Sequence, residues 1–287
     1  MEFKNIHTIA VIGAGTMGQG IAQVCAQAGY TTLLFDANAD ILPKAILSIS
    51  KNLSNSVSKG KLSSVEQEEI LKRIKVTKHL GDVKADLIIE AVVEQLDVKQ
   101  KLFHEVENIN EGKAILATNT SSISITQIAS TLKNHANCVG LHFFNPAHVM
   151  KLVEIVSGDL TDPKLIETLK ELSKKIGKIS VLAKDSPGFI VNRVARHYYL
   201  ESLKLLEENV ADLESIDKIL RSAGFKMGPF ELMDLIGIDI NLAVTTSVYE
   251  GFNKIEKFRP SRIQQQKAKD GHLGRKTGKG FYDYPKN

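Results

Sequence analysis

Across its first two-thirds the chain alternates short apolar, β-branched runs with longer stretches whose apolar residues recur at helical spacing. Runs at 6–12, 31–35, 87–92, 114–118, 138–143 and 151–156, with 179–182 later, read as strands. Between them, Met17, Ile21, Val24 and Ala28 share one face of a helix over 17–28, and Gly29 follows as its stop. Residues 40–58 form a longer, polar-rich helical stretch. Ser63-Ser64-Val65-Glu66 has the form of a capping box opening a helix to about residue 74. Strands separated by helices imply βαβ units and a doubly wound, mostly parallel α/β sheet. Near Lys184-Asp185-Ser186-Pro187-Gly188 the pattern changes. Residues 189–208, 213–223, 230–236 and 240–249 are helical, with no further strand pattern. The expectation is an α/β domain over 1–185 and an all-helical C-terminal domain over 186–287.

Composition agrees and narrows the class. A length of 287 residues suits two domains. A 43% hydrophobic share is enough to build cores, which excludes a disordered chain. Cys25 and Cys138 form no CxxC, so neither a zinc motif nor a disulfide framework is expected. The N-terminus lacks the basic-then-apolar order of a secretory signal, and no apolar run is long enough to span a bilayer. Both point to a cytoplasmic protein with no membrane partner. The net charge of +4 permits a small anionic ligand but gives no reason to expect nucleic acid. His7, His79, His104, His135, His148, His197 and His272 show no metal-ligand spacing, so no metal is expected.

Gly13-Ala14-Gly15-Thr16-Met17-Gly18 is a GxGxxG placed directly between a strand and a helix. Gly13 permits the tight turn, Gly15 lets backbone approach a pyrophosphate, and Gly18 lets helix and strand pack closely. The helix N-terminus then offers its N–H groups to the phosphates. Asp36 closes the next strand, where a carboxylate accepts from both ribose hydroxyls and repels a 2′-phosphate. Together these predict a Rossmann-type domain binding NAD rather than NADP; FAD uses the same fingerprint and is the competing cofactor.

Catalytic candidates are sought outside the carboxyl ends of the strands. Ser121 follows one strand in Asn119-Thr120-Ser121-Ser122, and His142 lies near the end of another, before Phe143-Phe144-Asn145-Pro146. Glu154 interrupts the apolar run Leu152-Val153-Glu154-Ile155-Val156, where a lone buried carboxylate would be costly. A His–Glu pair would make an oriented base. Singly, each has a plainer reading: a core histidine, a solvated edge carboxylate, a capping serine.

Taken with Glu90-Ala91-Val92-Val93-Glu94, Pro187-Gly188-Phe189-Ile190-Val191-Asn192-Arg193 and Lys276-Thr277-Gly278-Lys279-Gly280-Phe281-Tyr282, these motifs make the chain resemble the L-3-hydroxyacyl-CoA dehydrogenase family over nearly its whole length, most of all its bacterial 3-hydroxybutyryl-CoA members. The resemblance implies that His142 is the general base, with Glu154 orienting it. It implies that Ser121 holds the substrate oxygen and touches the cofactor, and that Asn192 completes the polar site. Further NAD contacts would come from the loop Gly13 to Gly18 and from Asp36, Glu94, Lys99, Asn145 and Lys276. Asn52 and Lys59, with Ser121, fall where the family contacts coenzyme A. The expected reaction is reversible oxidation of a 3-hydroxyacyl-CoA, with 3-hydroxybutyryl-CoA the short-chain choice. Alternatives are 3-hydroxyadipyl-CoA, another 3-hydroxy acid, or a non-catalytic NAD-binding protein. The length leaves no room for an added hydratase domain, and surplus apolar residues in the C-terminal helices predict a homodimer through that domain.

Overall fold

The computed structural model describes residues 2–285. They form two compact units, one ending at Ser186 and the other beginning at Pro187.

The first unit is built on eight strands: β1 Thr8–Ile12, β2 Thr31–Phe35, β3 Ile74–Thr77, β4 Leu87–Glu90, β5 Ile115–Thr118, β6 Cys138–Phe143, β7 Leu152–Ser157 and β8 Ile179–Lys184. Their order is β3-β2-β1-β4-β5-β6-β7-β8. Neighbours are parallel except β6 and β7. The helices are α1 Thr16–Gln27, α2 Ile41–Ser58, α3 Ser64–Arg73, α4 Leu96–Ile109, α5 Ile125–Ala129 and α6 Pro163–Lys175. Central strands of such a sheet are covered on both faces and read as unbroken apolar runs. Accordingly Leu87, Ile88 and Ile89 of β4 are all fully buried. Cys25 and Cys138 are unpaired and fully buried; burial pushes the Cys25 thiol up to about 12 and the Cys138 thiol up as well, so neither is a thiolate at neutral pH.

The capping box forms in full: the Ser63 Oγ accepts the Glu66 N–H at 3.2 Å, and the Ser63 N–H donates to Glu66 Oε2 at 2.8 Å. The helix it opens does not reach residue 74. It stops at Arg73, and Ile74-Lys75-Val76-Thr77 is an edge strand that the helical reading had absorbed. No glycine or proline separates the two elements, so the switch left no punctuation in the sequence. The charged Lys75 suits an exposed sheet edge.

The second unit holds α7 Val191–Glu207, α8 Leu213–Ser222, α9 Pro229–Ile236, α10 Ile238–Gly251 and α11 Arg262–Lys269. Helix α7 starts at Val191 rather than at residue 189, because Gly188 and Phe189 are left-handed, with φ of 72° and 48°. Helix α11 lies outside the sequence reading; its residues Arg262-Ile263-Gln264-Gln265-Gln266-Lys267-Ala268-Lys269 are mostly polar, with Ile263 and Ala268 the apolar exceptions. Among the described residues this unit has no strands, only isolated bridges from Lys279 to Gly274 and Asp283. No single helix of the described residues is long and apolar enough to cross a membrane.

Two buried aspartates hold this unit's C-terminal tail. Asp217, fully buried, accepts the N–H groups of Phe230 and Glu231 at the start of α9 and the Tyr282 hydroxyl at 2.8 Å. Asp234 accepts the N–H groups of Phe281 and Tyr282, both at 2.9 Å, and the Tyr284 hydroxyl. Asp217→Ala strands one buried and two part-buried donors and should cost about 2–4 kcal/mol. The check is a lowered midpoint in thermal unfolding; an unchanged midpoint would contradict the assignment.

Candidate active site

The chain leaves β1 toward β2 on one side, and β4 lies on the other, so a crevice opens at the carboxyl ends of β1 and β4. The loop Gly13 to Gly18 fills its rim. The Gly13 N–H donates to Phe35 O at 2.8 Å, and the Ala91 N–H donates to Ile12 O at 2.7 Å, which stitches the rim to both neighbouring strands. Gly13 has φ of 100°, and a Cβ there would lie 2.4 Å from Ala91 O. A Cβ on Gly18 would lie 1.6 Å from Gly13 O. Gly15 differs: a Cβ built on it meets nothing within 4 Å, so the space before the N-terminus of α1 is open. The first turn of α1 carries no acidic residue, which leaves its positive end available to an anion. Asp36, beside this loop, accepts the Ala14 N–H at 2.7 Å and the Asn38 N–H at 2.9 Å.

The carboxyl ends of β4 and β5 bring together a charged cluster. Glu90 Oε1 accepts from Lys99 Nζ at 2.6 Å and from the Val92 N–H at 2.7 Å. Glu90 Oε2 accepts from Thr118 Oγ1 at 2.6 Å. Lys99 also reaches Glu94 Oε2 at 3.1 Å, and its side chain is 1% exposed. The other Glu94 oxygen accepts from Thr120 Oγ1 at 2.6 Å, the Ser121 N–H at 2.8 Å and Ser121 Oγ at 3.2 Å. Partial burial works against ionised Glu94; the Lys99 ammonium and the hydrogen bonds from Thr120 and Ser121 outweigh it and hold the carboxyl below the usual range.

His142 and Glu154 are register partners on the antiparallel pair β6 and β7. The His142 Nδ1–H donates to Glu154 Oε2 at 2.7 Å, with Glu154 fully buried and His142 6% exposed. The Phe144 ring lies 4.6 Å from the imidazole, centroid to centroid. Asn119 Oδ1 accepts the Phe143 N–H at 2.8 Å and ties the Ser121 loop to β6 beside His142.

The first unit thus gathers Gly13, Ala14, Gly15, Thr16, Met17, Gly18, Asp36, Glu94, Lys99, Ser121, His142 and Asn145 at or beyond the carboxyl ends of β1, β2, β4, β5 and β6, with Glu154 near the amino end of the antiparallel β7. Asn52 sits on α2, where its Nδ2 donates to Gln23 Oε1 at 3.4 Å, and Lys59 is exposed just past the end of that helix. Asn192 and Lys276 belong to the second unit. There Lys276 Nζ pairs with both Asp239 oxygens, at 2.6 and 2.7 Å. Sequence reasoning gave no role to Glu90, Asn119 or Thr120. A signal existed for Glu90, which closes an apolar run much as Glu154 interrupts one.

Residues 8–186 match the NAD-binding domain of 3-hydroxyacyl-CoA dehydrogenase, and residues 188–284 match its C-terminal domain. The chain belongs to the 3-hydroxyacyl-CoA dehydrogenase family. Its first unit is that family's NAD-binding domain, and the open space at Gly15, the unopposed helix end and Asp36 are groups that fit a dinucleotide. It is 51% identical to a 3-hydroxyadipyl-CoA dehydrogenase of Escherichia coli, over 98% of this chain and 59% of the relative. It is 41% identical to a 3-hydroxybutyryl-CoA dehydrogenase of Clostridioides difficile, over 97% of this chain and 99% of the relative. A crystal structure titled 3-hydroxybutyryl-CoA dehydrogenase from Escherichia coli superposes with a TM-score of 0.95 at 49% identity, covering 99% of this chain and 60% of that one. An (S)-3-hydroxybutyryl-CoA dehydrogenase from Ralstonia eutropha gives 0.94 at 37% identity, covering 98% of this chain and all of that one. The chain therefore spans about three-fifths of the length of the two Escherichia coli proteins.

The glycines separate a folding role from a binding role. Gly18→Ala must displace backbone and should cost about 1–3 kcal/mol or more in stability. Gly15→Ala should leave the stability within about 1 kcal/mol of wild type yet weaken NADH binding in a fluorescence titration. Equal stability losses in the two variants would contradict this division.

Proposed function

We propose that this protein catalyses the reversible, NAD-dependent oxidation of a short-chain L-3-hydroxyacyl-CoA to the 3-ketoacyl-CoA, with His142 as general base and Glu154 as its orienting partner. The observation that carries the reading is the buried pair at 2.7 Å, set on facing strands at the carboxyl edge of the sheet. A carboxylate on Nδ1 fixes the tautomer and directs proton exchange to Nε2. It also stabilises the imidazolium formed when the 3-hydroxyl gives up its proton. In the reverse direction His142 returns that proton to the developing alkoxide. Ser121 is held by Glu94 through its N–H on the loop after β5, and its hydroxyl, which donates to Glu94 at 3.2 Å, turns to the same oxygen when substrate binds, where a hydrogen bond matters most as charge develops. The glycine loop and Asp36 would hold NAD, whose nicotinamide would supply the hydride acceptor for C3.

Within the first unit the glycine loop, Asp36, Glu94 with Lys99, Ser121 and Asn145 are proposed to hold the cofactor. Asn52 and Lys59 are proposed to meet coenzyme A. For Asn192 and Lys276 the proposal rests on the resemblance alone. The C. difficile relative, matched over nearly its full length, supports 3-hydroxybutyryl-CoA as the substrate. The E. coli relative supports 3-hydroxyadipyl-CoA as the second reading. NADH-dependent reduction of acetoacetyl-CoA, longer 3-ketoacyl-CoAs and 3-oxoadipyl-CoA decides between them by kcat/KM.

We also propose a homodimer through the second unit, supported by the exposure of Val194, Ile219, Phe225, Leu235 and Ile240, each at least half exposed in the isolated chain. Light scattering should give the mass of two chains; a single-chain mass at micromolar concentration would contradict it.

His142→Gln should cut turnover by about 10²-fold or more while NADH affinity stays near wild type. Turnover close to normal would remove His142 from the mechanism. Asp36→Ala should weaken NADH binding by roughly tenfold or more, the value of a charged hydrogen bond, and reduce the preference over NADPH. An unchanged cofactor ratio would sink that assignment.

A further inference from the structure

We propose that Glu90 is a positioning residue for the catalytic loop: through Lys99 it fixes the Glu94 carboxylate, and through Glu94 the Thr120–Ser121 segment. The inference deepens the proposed function and rests on its reading of Ser121.

The chain of contacts is continuous and directional. Glu90 is fully buried, with the Lys99 ammonium 2.6 Å away, and Lys99 is itself 1% exposed. Neither charge has water to fall back on, so each needs the other. Glu90 uses both oxygens: one takes Lys99 and the Val92 N–H, the other takes Thr118 Oγ1. Its own position is therefore over-determined by β4, β5 and the turn after β4. Lys99, anchored to it, places its ammonium 3.1 Å from Glu94 Oε2. Glu94 is thereby held by one oxygen from below while the other oxygen collects the Thr120 hydroxyl, the Ser121 N–H and the Ser121 hydroxyl. The Glu94 side chain is 38% exposed, so without Lys99 it would turn toward solvent and release the loop. One buried lysine answers two glutamates, which leaves the cluster anionic and Glu94 able to keep accepting from the loop.

The test is a double-mutant cycle between Glu90 and Glu94, with kcat, NADH dissociation constant and thermal midpoint measured for every protein. Glu90→Gln keeps the shape and the acceptor for Thr118 but removes the charge that holds Lys99. It should lower kcat and weaken NADH binding by about tenfold or more, as should Glu94→Gln. The Glu90→Gln/Glu94→Gln protein should be no worse than Glu94→Gln alone, since both act along one line. Glu90→Asp, which keeps the charge, should recover part of the loss. A merely structural Glu90 would tolerate Gln better than Asp, and its effect would multiply with that of Glu94→Gln; either result overturns the proposal. If Glu90→Gln does not fold, Glu90→Gln/Lys99→Met leaves no unpaired buried charge and should show the same loss in kcat and NADH affinity. Wild-type values there also overturn it. Ser121→Ala is measured alongside. Normal turnover in that variant removes the Ser121 reading, whereas the Glu90–Glu94 cycle, read in NADH affinity, stands or falls separately.

Discussion

The carboxylate of Glu90, buried at the end of β4 with the Lys99 ammonium 2.6 Å away, is where the carboxyl edge of the sheet is organised. Its weight comes from burial and not from distance. Lys113 and Glu111 are also 2.6 Å apart, but their side chains are 76% and 73% exposed. Such a pair contributes little, because water serves either partner almost as well. Glu90 and Lys99 have no such alternative, and removing one would leave the other as an uncompensated charge in the core. The result is a rigid link between β4, β5 and α4, from which Glu94 and the Ser121 loop are suspended. His142 and Glu154 repeat the same solution two strands away. The second unit uses it twice more, with Asp217 and Asp234 each satisfied by backbone N–H groups and a tyrosine hydroxyl.

The glycine loop obeys a different constraint, that of volume. Gly13 and Gly18 are required by the protein itself, because a methyl group at either would enter backbone 2.4 and 1.6 Å away. Gly15 is required by nothing in the chain. A glycine the fold does not need, at the positive end of a helix and beside a carboxylate at the end of the next strand, leaves room for a phosphate, which is the role proposed for it. This is why the motif carries more information with its strand, helix and Asp36 than it does as a string of letters.

The division into an α/β and a helical half was legible because two periodicities, near 2 and near 3.6, switch once along the chain. The strands bearing the site were legible for the same reason: Thr31–Phe35 and Cys138–Phe143 have the bounds their apolar runs imply. What escaped were elements whose stability comes from neighbours. The edge strand Ile74–Thr77 follows a helix without a break, and it is a strand because β2 offers it a parallel partner. Helix α11 is polar over most of its surface. In the site, the pairing of His142 with Glu154 was inferable from the cost of burying a carboxylate in an apolar run. The same cost at Glu90 pointed to a partner, but nothing in the sequence said that the partner would be Lys99, one turn into the next helix.

The His142–Glu154 pairing is also a property of the sheet itself. The pair is fixed by strand register, and a slip of one residue would set Val153 or Ile155 against His142 and turn Glu154 to the other face of the sheet. Register in a strand buried on both faces is strongly specified, because a slip would misplace every apolar side chain on it. The two side chains are therefore tied to the stability of the sheet, and their pairing can be altered only at the expense of the core. Relatives named for a four-carbon acyl chain and for a dicarboxylic six-carbon one match this chain at 41% and 51% identity over nearly its full length. If the pair transfers the proton as proposed, fixing it in the sheet leaves acyl selection to groups elsewhere, and relatives with different acyl chains can share one scaffold.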